Sequence, residues 1–182
     1  MADTVEHNPA EQRIIQGCIK GDRTAQKELY DLFSAKMFGV CLRYVGSREN
    51  AKDVLQEGFI SVFDKIGSYR GEGSFEGWMR RVFVNESLMY LRRNDVLKHS
   101  SDIDVVPLGD MGSAEGTLDN LSMKDVMKII NGMPAIYRSV LNLAVFEDYT
   151  HKEIAKELGI TELSSRSILT RARQWVKREI KK

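Results

Sequence analysis

Thr150-His-Lys-Glu-Ile-Ala-Lys-Glu-Leu-Gly-Ile-Thr-Glu-Leu-Ser-Ser-Arg-Ser-Ile-Leu-Thr-Arg-Ala-Arg173 is the stretch that decides the fold. Thr150 and Glu153 stand at capping-box spacing, where hydroxyl and carboxylate each satisfy a free backbone N–H. The helix they open carries Ile154, Ala155 and Leu158 on one face and stops at Gly159. Only Gly159-Ile160-Thr161 separates it from a second helix that runs from about Glu162 to the end. A small residue, a glycine turn and an apolar residue after it suit two closely crossing helices, the helix-turn-helix. The second helix presents Glu162, Ser164, Ser165, Arg166, Thr170 and Arg171 as polar positions. It is expected to bury Leu163, Ile168, Leu169, Ala172 and Val176. In such a motif the first half of the second helix enters the major groove, where Arg pairs with guanine and Ser or Thr bonds base edges or phosphates. Arg173, Lys177 and Arg178 would then lie nearer the flanking backbone. The plainer alternative is a solvated basic helix packed on its neighbour.

Charge along the chain supports the DNA reading, although the total does not. The 182 residues sum to +1, too little to coat nucleic acid or an anionic membrane by bulk charge. Residues 1–99 hold 15 basic and 14 acidic side chains, 100–149 hold 3 and 8, and 150–182 hold 9 and 4. A basic block of +5 therefore follows an acidic segment of −5 and a balanced first half. With 42% apolar and 29% charged residues, the chain reads as soluble and globular.

Upstream, the periodicity is helical almost throughout, giving an all-α fold class. Helices are expected at about Glu11–Lys20, Ala25–Tyr44, Arg48–Ile66 and Phe75–Arg93, with Ser47 as an N-cap. Their expected core includes Leu29, Leu32, Phe33, Val40, Cys41, Ala51, Val54, Leu55, Val62, Phe63, Ile66, Phe75, Trp78, Val82 and Met89. Residues 67–74 form a glycine-rich loop. From about Asp95 to Gly116 the pattern dissolves into acidic and small residues, a flexible linker. A helix from about Leu118 to Asn131 follows, then one opened by Pro134 in an N1-like place and running to about Phe146. The expected organisation is two small helical bundles, 1–95 and 117–182, joined by the acidic tether 96–116.

Two faces of the first bundle stand out. On the third helix Asp53, Gln56, Glu57, Ile60 and Asp64 lie opposite the core, a polar stripe that suits a protein contact or simple solvation. On the fourth, Arg81, Asn85, Leu88 and Arg92 recur at helical spacing, after a loop offering Tyr69 and Arg70 among glycines. Basic residues, an amide and exposed aromatics are the means of gripping a single strand or a splayed base. Tyr69 as a loop anchor, with Phe75 and Trp78 in the core, is the structural alternative.

These segments resemble those of group IV (extracytoplasmic-function, ECF) sigma factors of bacterial RNA polymerase. The chain resembles that family's region 2 through Gly21-Asp-Arg-Thr-Ala25, Leu29-Tyr30, Asp53-Val-Leu-Gln-Glu57-Gly-Phe59, Phe75-Glu-Gly-Trp78-Met-Arg-Arg-Val-Phe-Val-Asn85 and Leu91-Arg92-Arg93. It resembles region 4 through Met133-Pro134, Arg138, Thr150-His-Lys-Glu153-Ile-Ala155 and the segment from Leu158 to Arg173. The resemblance implies that residues 1–95 bind core polymerase and recognise and melt the −10 element, and that 117–182 recognise the −35 element. Asp53, Gln56, Glu57 and Ile60 would face the clamp helices of the polymerase β′ subunit, and region 4 the β flap. Tyr69, Arg70, Arg81, Asn85 and Arg92 would meet the −10 element, with the 67–74 loop capturing a flipped base. Ser164, Ser165, Arg166, Ser167, Thr170 and Arg171 would meet the −35 element. An anti-sigma factor is implied as a further partner. The chain departs from the family at Met133, where leucine is common, and at Leu163-Ser164, where the family commonly has Gly-Thr at the start of the recognition helix.

Other functions find little support. His7, His99 and His151 are scattered and Cys18 and Cys41 form no CxxC pair, so neither a metal site nor a disulfide framework is expected. Asp102-Ile-Asp104 begins like a calcium loop but lacks its Gly and its closing Glu. No nucleotide-binding glycine pattern, secretory signal or membrane span is found. The expectation is a cytoplasmic, non-enzymatic sigma factor with no cofactor, small-molecule substrate or membrane insertion. The competing functions are a helix-turn-helix regulator with an N-terminal dimerisation or sensing domain, and a pure protein-interaction helical pair.

Overall fold

A computed structural model describes residues 8–94, 97 and 123–180. Apart from Leu97, the proposed tether lies outside the described residues, as do His7, the Asp102–Asp104 segment and the expected start of a helix at Leu118. Two compact units emerge, one from residues up to 42 together with 47–90, the other from 43–46 together with 91 onward.

Four helices build the first unit: α1 (Pro9–Ile19), α2 (Arg23–Val45), α3 (Arg48–Lys65) and α4 (Phe75–Arg93), with a 3-10 turn at Ile66–Ser68; residues 43–45 of α2 and 91–93 of α4 group with the second unit. Short polar side chains open them. The Asn8 carbonyl accepts from the Ala10 amide, the Asp22 carboxylate from Thr24, and the Ser47 hydroxyl from Asn50. Gly17 permits a close approach to α2, since a Cβ there would sit 2.5 Å from that of Ala25. Gly58 does the same between α3 and α4, where an added Cβ would lie 2.2 Å from the Phe83 ring. Phe83 is fully buried and meets Phe59 edge-on at 5.1 Å between centroids. Beside them the buried Glu86 carboxylate accepts a 2.6 Å bond from Ser61, which ties the register of α4 to α3.

The second unit holds α5 (Met123–Asn131), α6 (Ala135–Val145), α7 (His151–Leu158) and α8 (Glu162–Ile180). Pro134 is the N-cap of α6 and not its first helical residue, one place earlier than expected. Helix α6 is the central element, buried at every position from Ala135 to Leu143. That includes Arg138, whose guanidinium donates to the carbonyls of Asn131 and Met133 at 3.0 and 3.3 Å. Burial pushes its proton affinity down, so these bonds carry the cost of holding the charge inside.

Several expected core residues lie elsewhere. Leu32 is 59% exposed, on the outer side of α2. On α4 the expectation is inverted at adjacent positions: Leu88 is fully buried and Met89 is 36% exposed. Helix α4 has core on a broad arc, so Leu88 falls within it and Met89 turns out. Among the described residues no helix is long and apolar enough to cross a membrane.

Candidate nucleic-acid interface

The helix-turn-helix forms as its residues predict. The Thr150 hydroxyl accepts from the Glu153 amide at 3.3 Å, and the Glu153 carboxylate accepts from the Thr150 amide at 2.8 Å. Gly159 closes α7 in the left-handed region at φ 67°, which a glycine adopts without Cβ strain. The Ile160 amide then donates back to the Ala155 carbonyl at 3.0 Å. Thr161 starts α8, its hydroxyl accepting from the Ser164 amide at 3.0 Å and meeting the Ser164 hydroxyl at 2.8 Å.

Helix α8 buries only a narrow strip, Ser165, Leu169 and Ala172. Ser165, expected on the polar face, is fully buried, and its hydroxyl lies 2.9 Å from Nδ1 of His151. It pins the recognition helix to α7 and has no outward face to offer DNA. Leu163, expected in the core, is 78% exposed. The strip lies at i, i+4 and i+7 from Ser165, so residue 163 falls on the other side of the helix. There it joins Arg166, Ser167 and Thr170, all exposed, at i, i+3, i+4 and i+7. Arg166 sits 4.0 Å from the Glu162 carboxylate, and the Thr170 hydroxyl donates to the Arg166 carbonyl at 3.0 Å. Ser164 and Arg171 are half-buried at the edge of this face.

In the first unit Asp53, Gln56, Glu57, Ile60 and Asp64 are all exposed on α3, as expected, and Ile60 at 61% stands out among polar neighbours. On α4 Arg81, Asn85 and Arg92 are exposed, with Met89 in the place expected for Leu88. The preceding loop is held by aromatic packing. Tyr69 meets Phe75 edge-on and Trp78 at a tilt, with centroids 5.2 and 5.7 Å away, and its hydroxyl donates to the Gly73 carbonyl at 2.7 Å. Burial and the Glu11 carboxylate push that hydroxyl's pKa up, so it remains a donor. Gly71 and Gly73 take φ values of 77° and 75°, which lets the loop fold tightly around the ring. Arg70 remains exposed at the mouth of a 340 Å³ cleft against α1. Gln12 and Gln16 form the facing wall. Sequence reasoning missed both; their only signal is a spacing of four on the outer face of α1.

The remaining candidates are structural. Cys41 is fully buried, and burial with the Asp22 and Glu28 carboxylates pushes the Cys18 thiol up to about 11. A thiol held protonated in this way is a poor nucleophile.

Comparison with known proteins shows the family. Residues 29–96 match sigma-70 region 2, and residues 123–176 match sigma-70 region 4. The chain belongs to the sigma-70 family, as an RNA polymerase sigma factor of the ECF type. It is 28% identical to the ECF RNA polymerase sigma-E factor of Haemophilus influenzae, over 93% of this chain and 95% of that one. The ECF sigma-E factor of Escherichia coli K12 is 27% identical, with 93% and 94% covered, and the sigma-H factor of Pseudomonas aeruginosa is 26% identical, with 90% of each covered. In fold it is similar to the sigma factor RpoE of Bartonella quintana, solved with the anti-sigma factor NepR, at a TM-score of 0.53 and 18% identity over 85% of this chain and 96% of that one. The match to region 2 decides between the promoter-specificity subunit and the ordinary helix-turn-helix regulator in favour of the first. As a sigma factor the chain is a transcription-initiation factor.

Proposed function

We propose that this ECF sigma factor divides promoter recognition between its two units, each acting through one exposed helical face. The observation that carries the reading is the order of region 2 and region 4 along one chain, each presenting its own face. As a sigma factor it binds core RNA polymerase and promoter DNA. The α3 face of Asp53, Gln56, Glu57 and Ile60 is the surface for the β′ clamp helices: an exposed Ile ringed by carboxylates and an amide offers an apolar anchor and a charged rim. Arg81, Asn85 and Arg92 on α4, with Arg70 at the cleft mouth, serve the −10 element. Arginines hold strand phosphates, the amide bonds a base edge, and the cleft has room for an unstacked base. Arg166, Ser167 and Thr170, flanked by Ser164 and Arg171, serve the −35 duplex through the major groove. Ser165 supports them from beneath.

Residues 96–116 serve as the tether between domains 1–95 and 117–182. The protein works in the cytoplasm, where its polymerase is, without catalysis of its own. An anti-sigma factor is its expected regulator, in keeping with the Bartonella relative solved with one.

Addition of the full chain to core polymerase freed of every other sigma subunit tests the reading. Run-off transcription from its own promoters, selected from a genomic library, is the expected result. A chain that does not bind core polymerase, or that binds without selecting promoters, would refute it.

A further inference from the structure

We infer that Leu163 is a specificity residue that reads a thymine methyl group in the −35 element, an inference that rests on the reading of α8 as the helix of the major groove. Leu163 is 78% exposed, the highest value among the exposed large apolar side chains of the described residues. It adds nothing to the core of the second unit, to which α8 gives Ser165, Leu169 and Ala172 as its buried residues. A leucine left in water at a helix start has no local benefit, since α8 is capped by Thr161 and not by an apolar staple.

Its companions indicate what covers it. Leu163 shares its stripe with Arg166, Ser167 and Thr170, and the exposed Arg173 and Lys177 extend the helix's positive charge. A cationic stripe with one apolar side chain near its leading end suits duplex DNA better than an apolar protein groove. In the major groove the one prominent apolar group on a base edge is the C5 methyl of thymine. The hydroxyl next to Leu163, that of Ser164, meets Thr161 at 2.8 Å. Leu163 is therefore the apolar side chain at the N-terminal end of a stripe whose other members are polar. Its shape also excludes: four carbons at a groove-facing position leave no space for a polar group that needs hydration, so cytosine, with its amino group, is disfavoured there.

The test uses holoenzyme assembled from core polymerase and the full chain, and promoter duplexes randomised over the −35 and −10 segments. The selected −35 sequence should contain a thymine whose replacement by deoxyuridine, which lacks only the methyl, weakens binding about fourfold, the value of one buried carbon group. The Leu163→Ala holoenzyme should show no deoxyuridine effect at that position and accept cytosine there. A deoxyuridine penalty of the same size in Leu163→Ala, or no thymine with such a penalty in the natural chain, overturns the assignment. So does a Leu163→Ala variant that loses core polymerase binding with unchanged promoter choice, which would place the leucine against protein. The Arg166→Ala holoenzyme separates the two levels. If it keeps full −35 discrimination, the reading of α8 itself fails; if it loses discrimination while deoxyuridine is silent, only the Leu163 assignment falls.

Discussion

Helices α4 and α8 are each 19 residues long and each displays arginines, yet they are built on opposite plans. Helix α4 buries Phe75, Met79, Val82, Phe83, Val84, Glu86, Ser87, Leu88 and Leu91, and little more than the stripe of Arg81, Asn85, Met89 and Arg92 is left outside. Helix α8 has three buried residues, and its exposed positions cluster on the side away from them. The difference follows from the target each is proposed to meet. A helix that enters a groove about 12 Å wide must stand clear of its own domain along its leading half. One that lines up a melted strand needs only a fixed stripe, and a broad core behind it supplies the rigidity that holds the stripe in place. Burial on α4 is thus a positioning device, and exposure on α8 is a condition of access.

The largest effect that would test this contrast is loss of the α4 core. Phe83→Ala should cost about 3–5 kcal/mol, because a fully buried ring against Phe59 and Gly58 leaves a cavity the crossing helices cannot close. The two tryptophans make the measurement unit-specific, since Trp78 lies in the first unit and Trp175 in the second. Urea unfolding followed by Trp78 fluorescence in a Trp175→Phe background should show the full loss. A cost below about 1 kcal/mol would mean that α4 is not held as described. Next come the adjacent positions 88 and 89. Leu88→Ala should cost about 2–5 kcal/mol in the same assay, whereas Met89→Ala should change stability by no more than about 0.5 kcal/mol. Equal costs would erase the distinction between the arc and the stripe.

On α8 the expected sensitivity is to DNA and not to denaturant. Arg166 is exposed and its nearest carboxylate, Glu162, is 4.0 Å away. Arg166→Ala should leave the unfolding of the second unit within about 0.5 kcal/mol of the natural chain, as for other surface changes. It should lower discrimination at the −35 element by about 1–3 kcal/mol, the value of one bidentate base contact. Competition between the selected and a scrambled −35 duplex for holoenzyme gives the number. Asn85→Ala is the counterpart on α4. It should slow promoter opening, read by permanganate reactivity of the melted strand, while core binding is retained; equal loss of core binding would count against the assignment.

The two plans also explain which features were legible in the sequence. The helix-turn-helix is written locally: capping box, glycine stop and three-residue turn each act within a few residues, and the structure reproduces all three. Exposure of the α3 stripe was legible because Asp53, Gln56, Glu57 and Asp64 are polar at helical spacing. Leu88, Met89, Leu163 and Ser165 were not, and for one reason. Periodicity tells that a helix has a core face but not how wide that face is, and width depends on how many neighbours pack against it. A broad arc on α4 takes in Leu88. A narrow strip on α8 excludes Leu163 and, because it is narrow and lies close to α7, includes a serine that bonds His151. Gln12 and Gln16 were missed because their place depends on a loop more than 50 residues away in sequence.

The smallest expected loss concerns what holds α7 and α8 at their mutual angle. Thr150 and Glu153 satisfy each other's backbone amides at the start of α7, and a Thr150→Ala chain loses both bonds of the hydroxyl, the one it accepts from the Glu153 amide and the one it donates to the Glu153 carboxylate. The expected cost is about 1 kcal/mol in the second unit, read from Trp175 fluorescence in a Trp78→Phe background. The same change should weaken −35 discrimination only slightly, because α8 has its own cap at Thr161 and its own tie through Ser165. Were Thr150→Ala to abolish −35 recognition while costing so little stability, the orientation of α8 would depend on the start of α7 more than on Ser165, Leu169 and Ala172. The narrow buried strip would then be too weak to aim the helix, and the contrast with α4 would need a second clamp to stand.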